Sequence, residues 1–250
     1  MARIMVGLPV TGGYYPQMMA SVIALLQENF GAVGAMGDLD LRFVTLANEA
    51  LISRGRNSIA TKFLESDCEY LLSIDSDIEF PASAVERLVA HDKDVIAAPY
   101  TIKGTPRLWT VRFIEGMMPP FLEGVLPVRY VSGGFVLVKR RVFEALADDA
   151  PRYFNKGQWH RNFYQPYVHE VIPGEPEYLP EDWAFCQRAR DKGFEVFCDF
   201  DIELTHWGMN GYTMPTVDGR LPSHPAVERL GDRANELTSL EQAPAEWLKG

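Results

Sequence analysis

Along the first hundred residues, apolar runs of strand length alternate with stretches whose apolar positions recur at helical spacing. Ile4 to Leu8 reads as a buried strand, followed by the turn-rich PVTGGYYP and a helix from about Gln17 to Asn29. Leu41 to Leu46 reads as a second strand, and Ser53 to Glu65 as a helix with Ile52, Ile59 and Phe63 on one face. Tyr70 to Ile74 is a third strand, ending at Asp75-Ser76-Asp77. Pro81 suits a first helical position, with Val85, Leu88 and Val89 following at helical spacing, and Asp94 to Ala98 is a fourth short strand. Strands alternating with helices predict an α/β fold: a mostly parallel central sheet with helices on both faces, of the nucleotide-binding kind.

The second half has another texture. VRYVSGGFVLV, residues 128 to 138, reads as a strand with a glycine pair inside it, where glycines signal a bulge or close backbone approach to a ligand. The helix KRRVFEAL follows, then about thirty residues rich in Tyr, Trp, Phe and His, from Pro151 to Tyr178, read as a long functional loop. Glu181 and Asp182 open another helix, where the helix dipole favours acids without any catalytic role. A strand from Phe194 to Cys198 leads on to His206 in Leu-Thr-His-Trp-Gly. From Gly208 the chain is rich in Pro, Gly and charge, with a helix expected around Ala226 to Leu240. The reading is therefore a domain over 1–207 and an arm over 208–250 that packs over the active site or forms an oligomer interface.

An Asp-x-Asp pair carries little weight by itself here. The sequence holds four of them: Asp38/Asp40, Asp75/Asp77, Asp92/Asp94 and Asp199/Asp201. Position ranks them, because open α/β sheets bind ligands outside the carboxyl ends of their strands. Asp38/Asp40 and Asp92/Asp94 precede their strands. Asp75/Asp77 closes what should be a central strand, and Asp199/Asp201 follows a strand-like run in the second half.

Composition narrows the classes. A formal net charge of −10 weighs against a broad nucleic-acid surface, which needs clustered Lys and Arg. No apolar run reaches the roughly 18 residues of a membrane span, and the N-terminal MARIMVGLPV has no signal-peptide pattern. The three cysteines, Cys68, Cys186 and Cys198, lie far apart and suit a reducing, cytoplasmic compartment.

Taken in order, SIDSD (73–77), SGGFVLVKRRVFEAL (132–146), PEDWAFCQRARDKGFEV (180–196) and THWG (205–208) resemble the glycosyltransferases of the GT-A fold, in particular the inverting family-2-like group. The resemblance spans roughly residues 3 to 208. Where many such enzymes carry Asp-Asp-Gly-Ser after the second strand, this chain has TLANEALISRGRN, so the resemblance implies metal and phosphate binding more firmly than base recognition.

The resemblance implies transfer of a sugar from a nucleotide-sugar donor, UDP-linked by family frequency, to an acceptor hydroxyl with inversion. The acceptor is left open among a glycan, a lipid-linked sugar, a protein side chain and a hydroxymethylated base in DNA. Asp77 would bind the metal, Asp75 the ribose or a metal-bound water, and His206 would complete the metal shell. Hard oxygen ligands suit Mn²⁺ or Mg²⁺, and the imidazole favours Mn²⁺. Pro9, Thr11 and Ser76 would line the donor site, Arg54 or Arg56 would pair with the diphosphate, and Asn57 and Ser58 would share the face of Arg54. Gly133 and Gly134 would admit the donor sugar. Asp182 would be the general base, with Glu181 orienting the acceptor.

Two rivals use the same fold. A sugar-phosphate nucleotidylyltransferase would want a basic residue in the first glycine-rich loop, and residues Pro9 to Tyr15 have none. A non-catalytic nucleotide- or carbohydrate-binding module need not keep both Asp77 and Asp182.

Overall fold

A computed structural model of the chain describes residues 1–30 and 39–223. The alternating first half forms β1 (Ala2–Val10), α1 (Pro16–Phe30), β2 (Leu39–Ala47), α2 (Ile52–Glu65), β3 (Tyr70–Ile74), the two-residue β4 (Ile78–Glu79), α3 (Ala84–Ala90) and β5 (Val95–Ala97). Then come β6 (Phe121–Leu122), β7 (Val125–Val128), β8 (Phe135–Lys139) and α4 (Arg140–Leu146). The aromatic segment holds β9 (Arg152–Asn155), β10 (Gln158–Arg161), β11 (Tyr167–Ile172) and β12 (Glu175–Leu179). The described chain ends with α5 (Glu181–Asp191), β13 (Val196–Asp199), β14 (Thr205–Trp207), β15 (Gly211–Tyr212) and β16 (Leu221–Pro222).

The central sheet has seven strands in the order β2-β1-β3-β8-β5-β13-β7. Strands β2, β1, β3, β5 and β13 share one direction, while β8 and β7 run against them, so the sheet is mostly parallel. Two apolar clusters sandwich it, one including Phe63, Phe143 and Phe185 and the other Ile4, Met18 and Leu88. Parallel strands buried on both faces require near-continuous apolar runs, which is what Ile4–Leu8 and Tyr70–Ile74 supply.

Three expectations are corrected. VRYVSGGFVLV is not one strand: β7 ends at Val128 and β8 starts at Phe135, with the glycine pair in the intervening crossover. That crossover carries the chain from the β7 edge of the sheet to its centre without a change of strand direction, so Phe135 lies opposite Ile74 and the glycines reach the carboxyl end of β3. The aromatic segment is not a loop but two hairpins. The first turns at Lys156 and Gly157, both with positive φ (49° and 82°), the backbone a two-residue hairpin turn demands. Ile52 is exposed at 37%; the buried face of α2 is instead built from Gly55 to Ala60 and Phe63, and it includes Arg56, Asn57 and Ser58.

Pro81 sits three residues ahead of α3, in the turn that leads into it. Beyond residue 207, β15 pairs with β14 and β16 pairs with β6, so residues 208–223 are stitched onto the body. The helix expected at 226–240 and Asp38 lie outside the described residues.

Candidate active site

The four aspartate pairs separate by their partners. Asp40 is paired with Arg42, and Asp92 and Asp94 with Lys139 and Arg141. Asp199 is fully buried at the end of β13, where Arg87 (2.5 Å) and His91 (2.8 Å) grip it and Arg87 also reaches Asp201 at 2.7 Å. Burial works against its charge, but these partners outweigh burial and hold the carboxyl below its ordinary range. That pair is a structural ion cluster with its oxygens already engaged. Asp75 and Asp77, at the carboxyl end of β3, also have basic partners in Arg56 and Lys103, but unlike the fully buried Asp199 their side chains stay 26% and 22% exposed.

Several elements converge on that end. The Asp75 N–H donates to the Gly134 carbonyl (2.9 Å), and the Ser76 carbonyl accepts the Tyr15 N–H (2.9 Å) from the first loop. The short β4 pairs with β14, which sets His206 opposite Ile78, and the Trp207 N–H donates to the Asp77 carbonyl at 2.8 Å. Asp77 and His206 are thereby fixed by backbone pairing, with His206 Nε2 3.6 Å from Asp77 Oδ2. His206 Nδ1 lies 2.8 Å from the Thr101 carbonyl, an acceptor only. The neutral ring therefore carries its proton on Nδ1 and leaves the Nε2 lone pair facing Asp77. A carboxylate and an imidazole lone pair facing one space are a donor set for a cation. Among the described residues no group of three or more His, Cys, Asp and Glu side chains is already gathered round one point. Two protein ligands are enough where phosphate oxygens and water complete the shell.

Arg56 is the hub of the site. Its side chain is 4% exposed, and Nη2 donates to both oxygens of Asp75 (2.9 and 3.1 Å) while Nη1 donates to the Gly133 carbonyl (2.8 Å). Its Nε lies 3.5 Å from Glu181 Oε1. Burial opposes the charge, yet Asp75, Glu181 and Asp182 raise its pKa above the ordinary arginine value. Gly133 is glycine because a Cβ there would come 2.6 Å from the Arg56 guanidinium carbon. At Gly134 a Cβ would come 2.4 Å from the Tyr100 hydroxyl oxygen, which accepts the Gly134 N–H at 3.2 Å. The room these glycines leave is filled by Arg56 and Tyr100, not by space for a sugar.

Asp182 stands in the first turn of α5. Its Oδ2 accepts the Gly133 N–H (3.0 Å) and its Oδ1 accepts the Trp183 N–H (2.8 Å), so each oxygen keeps a lone pair. Burial of the carboxylate, with the charge of Glu181 second, pushes it up to about 6, against the opposing pull of Arg56 and the two N–H groups. Asp182 is thus a carboxylate whose basicity is set near neutrality, as a general base requires.

The other expected donor contacts fall out differently. Pro9 is buried within β1, and Asn57 is buried where its side chain clamps Asn162 (2.8 Å) and the Tyr164 N–H (3.0 Å). Ser58 donates to the Arg54 carbonyl at 3.0 Å. The polar groups of Asn57 and Ser58 are thus taken up within the protein. Arg56 is already engaged by Asp75 and Glu181. Arg54 is bound to the buried Glu49, whose hydrogen bond from Arg54, against the cost of burial, lowers its carboxyl to about 2. Thr11 is exposed and donates to the Glu49 carbonyl at 3.2 Å. Glu49, Tyr100 and Lys103, which bonds Asp77, carry no motif in the sequence. Glu49 alone had a signal, as an acid just past a parallel strand.

No curated protein matches the chain. The family model of Anp1, a GT-A-like mannosyltransferase family, matches residues 23–106. Among solved structures, A197 from STIV is 16% identical over 90% of this chain and 95% of that one, with a TM-score of 0.52. GalNAc-T7 with UDP, GalNAc and Mn²⁺ is 10% identical, covers 99% of this chain and 53% of that one, and has a TM-score of 0.50. The fold is GT-A. TarS from S. aureus in complex with UDP-GlcNAc is 15% identical over 80% of this chain and 56% of that one, with a TM-score of 0.43. Within the GT-A sheet, the strand-end Asp75 and the first turn of α5 are joined through Arg56.

Proposed function

We propose that the chain is a glycosyltransferase that moves a hexose from a nucleoside-diphosphate sugar to an acceptor hydroxyl, with inversion at the anomeric carbon. One observation carries this reading. A single buried guanidinium joins the strand-end Asp75 to Glu181, and its neighbour Asp182 has a carboxylate poised near pH 6. A binding module needs no such base.

Asp77 and His206 would hold the cation, Mn²⁺ before Mg²⁺ because of the imidazole. When bound, the cation supplies positive charge to the departing diphosphate. Asp182 accepts the acceptor's proton as the oxygen attacks, from the face opposite the leaving group, and inversion follows from that approach. The Gly133 and Trp183 N–H groups fix the rotation of its carboxylate. Arg56 keeps Asp75 and Glu181 in place and limits the rise in Asp182 basicity. UDP is the expected carrier, supported by the UDP and Mn²⁺ bound to GalNAc-T7. The partial match to Anp1 makes GDP-linked hexoses the informative comparison in a donor panel.

The test is calorimetric. Asp77→Ala is expected to abolish Mn²⁺-dependent binding of UDP while the protein stays folded, and His206→Ala to weaken it. Asp92→Ala, at an exposed pair on the far edge, should bind like the parent. Parent-like affinity in Asp77→Ala would remove the metal from this site.

A further inference from the structure

We infer that Lys103 is an internal counter-ion for Asp77, displaced when a divalent cation enters and then available to the donor's diphosphate. The inference rests on the metal reading of Asp77 and His206 above. The Lys103 ammonium bonds Asp77 Oδ2, the same oxygen that faces His206 Nε2 at 3.6 Å. That separation is too long for a hydrogen bond, and an imidazole lone pair beside a carboxylate is repulsive unless positive charge lies near both. Lys103 supplies it.

The surroundings fit a side chain that both parks and leaves. Its stem runs past Gly208, where a Cβ would come 3.2 Å from Lys103 Cδ, so the glycine of His-Trp-Gly keeps the berth open. The ammonium lies 5.8 Å from the ring centre of Tyr15. Yet the side chain is 32% exposed and sits on a loop whose base is closed by the Thr101–Trp109 bridge and the Ile102 N–H to Leu108 carbonyl bond. The backbone is anchored while a flexible four-carbon stem carries a point charge that can swing. Two cations cannot share one carboxylate oxygen at contact distance without strong repulsion. An entering Mn²⁺ therefore expels the ammonium. Once freed, it remains next to the Asp77 edge, where a diphosphate bound to the cation would be the nearest strong anion.

The two halves predict opposite signs for one substitution. Mn²⁺ would be titrated into the parent, Lys103→Met and Lys103→Arg without nucleotide, and UDP into each at saturating Mn²⁺. Lys103→Met should bind Mn²⁺ about three- to tenfold more tightly, because the fraction of molecules with Asp77 already occupied is removed. It should bind UDP in the presence of Mn²⁺ several-fold more weakly. Lys103→Arg, which keeps the charge, should follow the parent for the metal. Unchanged or weaker Mn²⁺ binding by Lys103→Met, while Asp77→Ala still abolishes it, would overturn the displacement and leave the metal site standing. Unchanged UDP affinity would overturn the role toward the diphosphate. If the parent and both Lys103 variants bind no Mn²⁺ and Lys103→Met loses UDP, lysine stands permanently in place of a metal, and both this inference and the metal reading fall.

Discussion

Asp182→Asn is expected to lower sugar transfer by about 10²–10⁴-fold, the usual cost of removing a general base. Binding of UDP and Mn²⁺ should stay at the parent's level, since Asn retains the shape and can still accept the Gly133 N–H. Because the parent carboxyl is pushed up to about 6, its turnover should climb about tenfold per pH unit below that value and level off above it. The variant should lack that limb. Stability supplies an independent check. A carboxyl whose folded pKa is raised contributes stability below its unfolded value, near 3.9, and loses it as pH rises through about 6. At pH 7 the ionised Asp182 is therefore a destabilising group. Asp182→Asn keeps only one of the two N–H bonds, so the expectation is a trend: the parent should gain melting temperature relative to the variant as pH falls from 7 toward 4. A variant that loses UDP binding along with turnover would make Asp182 a scaffold residue. Near-normal turnover would take it out of the chemistry altogether.

Arg56→Met should be the most destabilising single change in the site. It leaves Asp75 and Glu181 without their counter-charge and the Gly133 carbonyl without its donor. Breaking a buried ion pair from one side typically costs about 3–5 kcal/mol. For a chain of this length that is a fall in Tm of roughly 10 °C. Arg56→Lys keeps the charge but cannot bridge two groups at once, so it should lie between. Thermal unfolding of the three proteins reads both expectations. A Met variant that melts with the parent would mean the guanidinium is not what holds the site together.

Local patterns alone reveal the parts of this protein that local physics decides. Strand and helix periods in the first half, the position of Asp75 and Asp77 at a strand end, and the opening of α5 at Glu181 all depend on neighbours within a few residues. Lys156-Gly157 is a local turn signal of the same kind, although the aromatic segment around it reads as a loop from sequence alone. What sequence cannot express is which distant group meets a charged side chain. Arg56 lies in SRGRN, where the resemblance implied that it or Arg54 would pair with a diphosphate. It is buried because Asp75, 19 residues on, and Glu181 from α5 close over it. The glycine pair looks like an opening for a ligand until the crossover before β8 sets Arg56 and Tyr100 in its hollow. Lys103 sits in a loop without a motif, and only the fold carries its ammonium to Asp77. Periodicity determines which face of an element is covered. Tertiary structure alone decides what covers it, because the partners of a buried charge are chosen by the path of the whole chain.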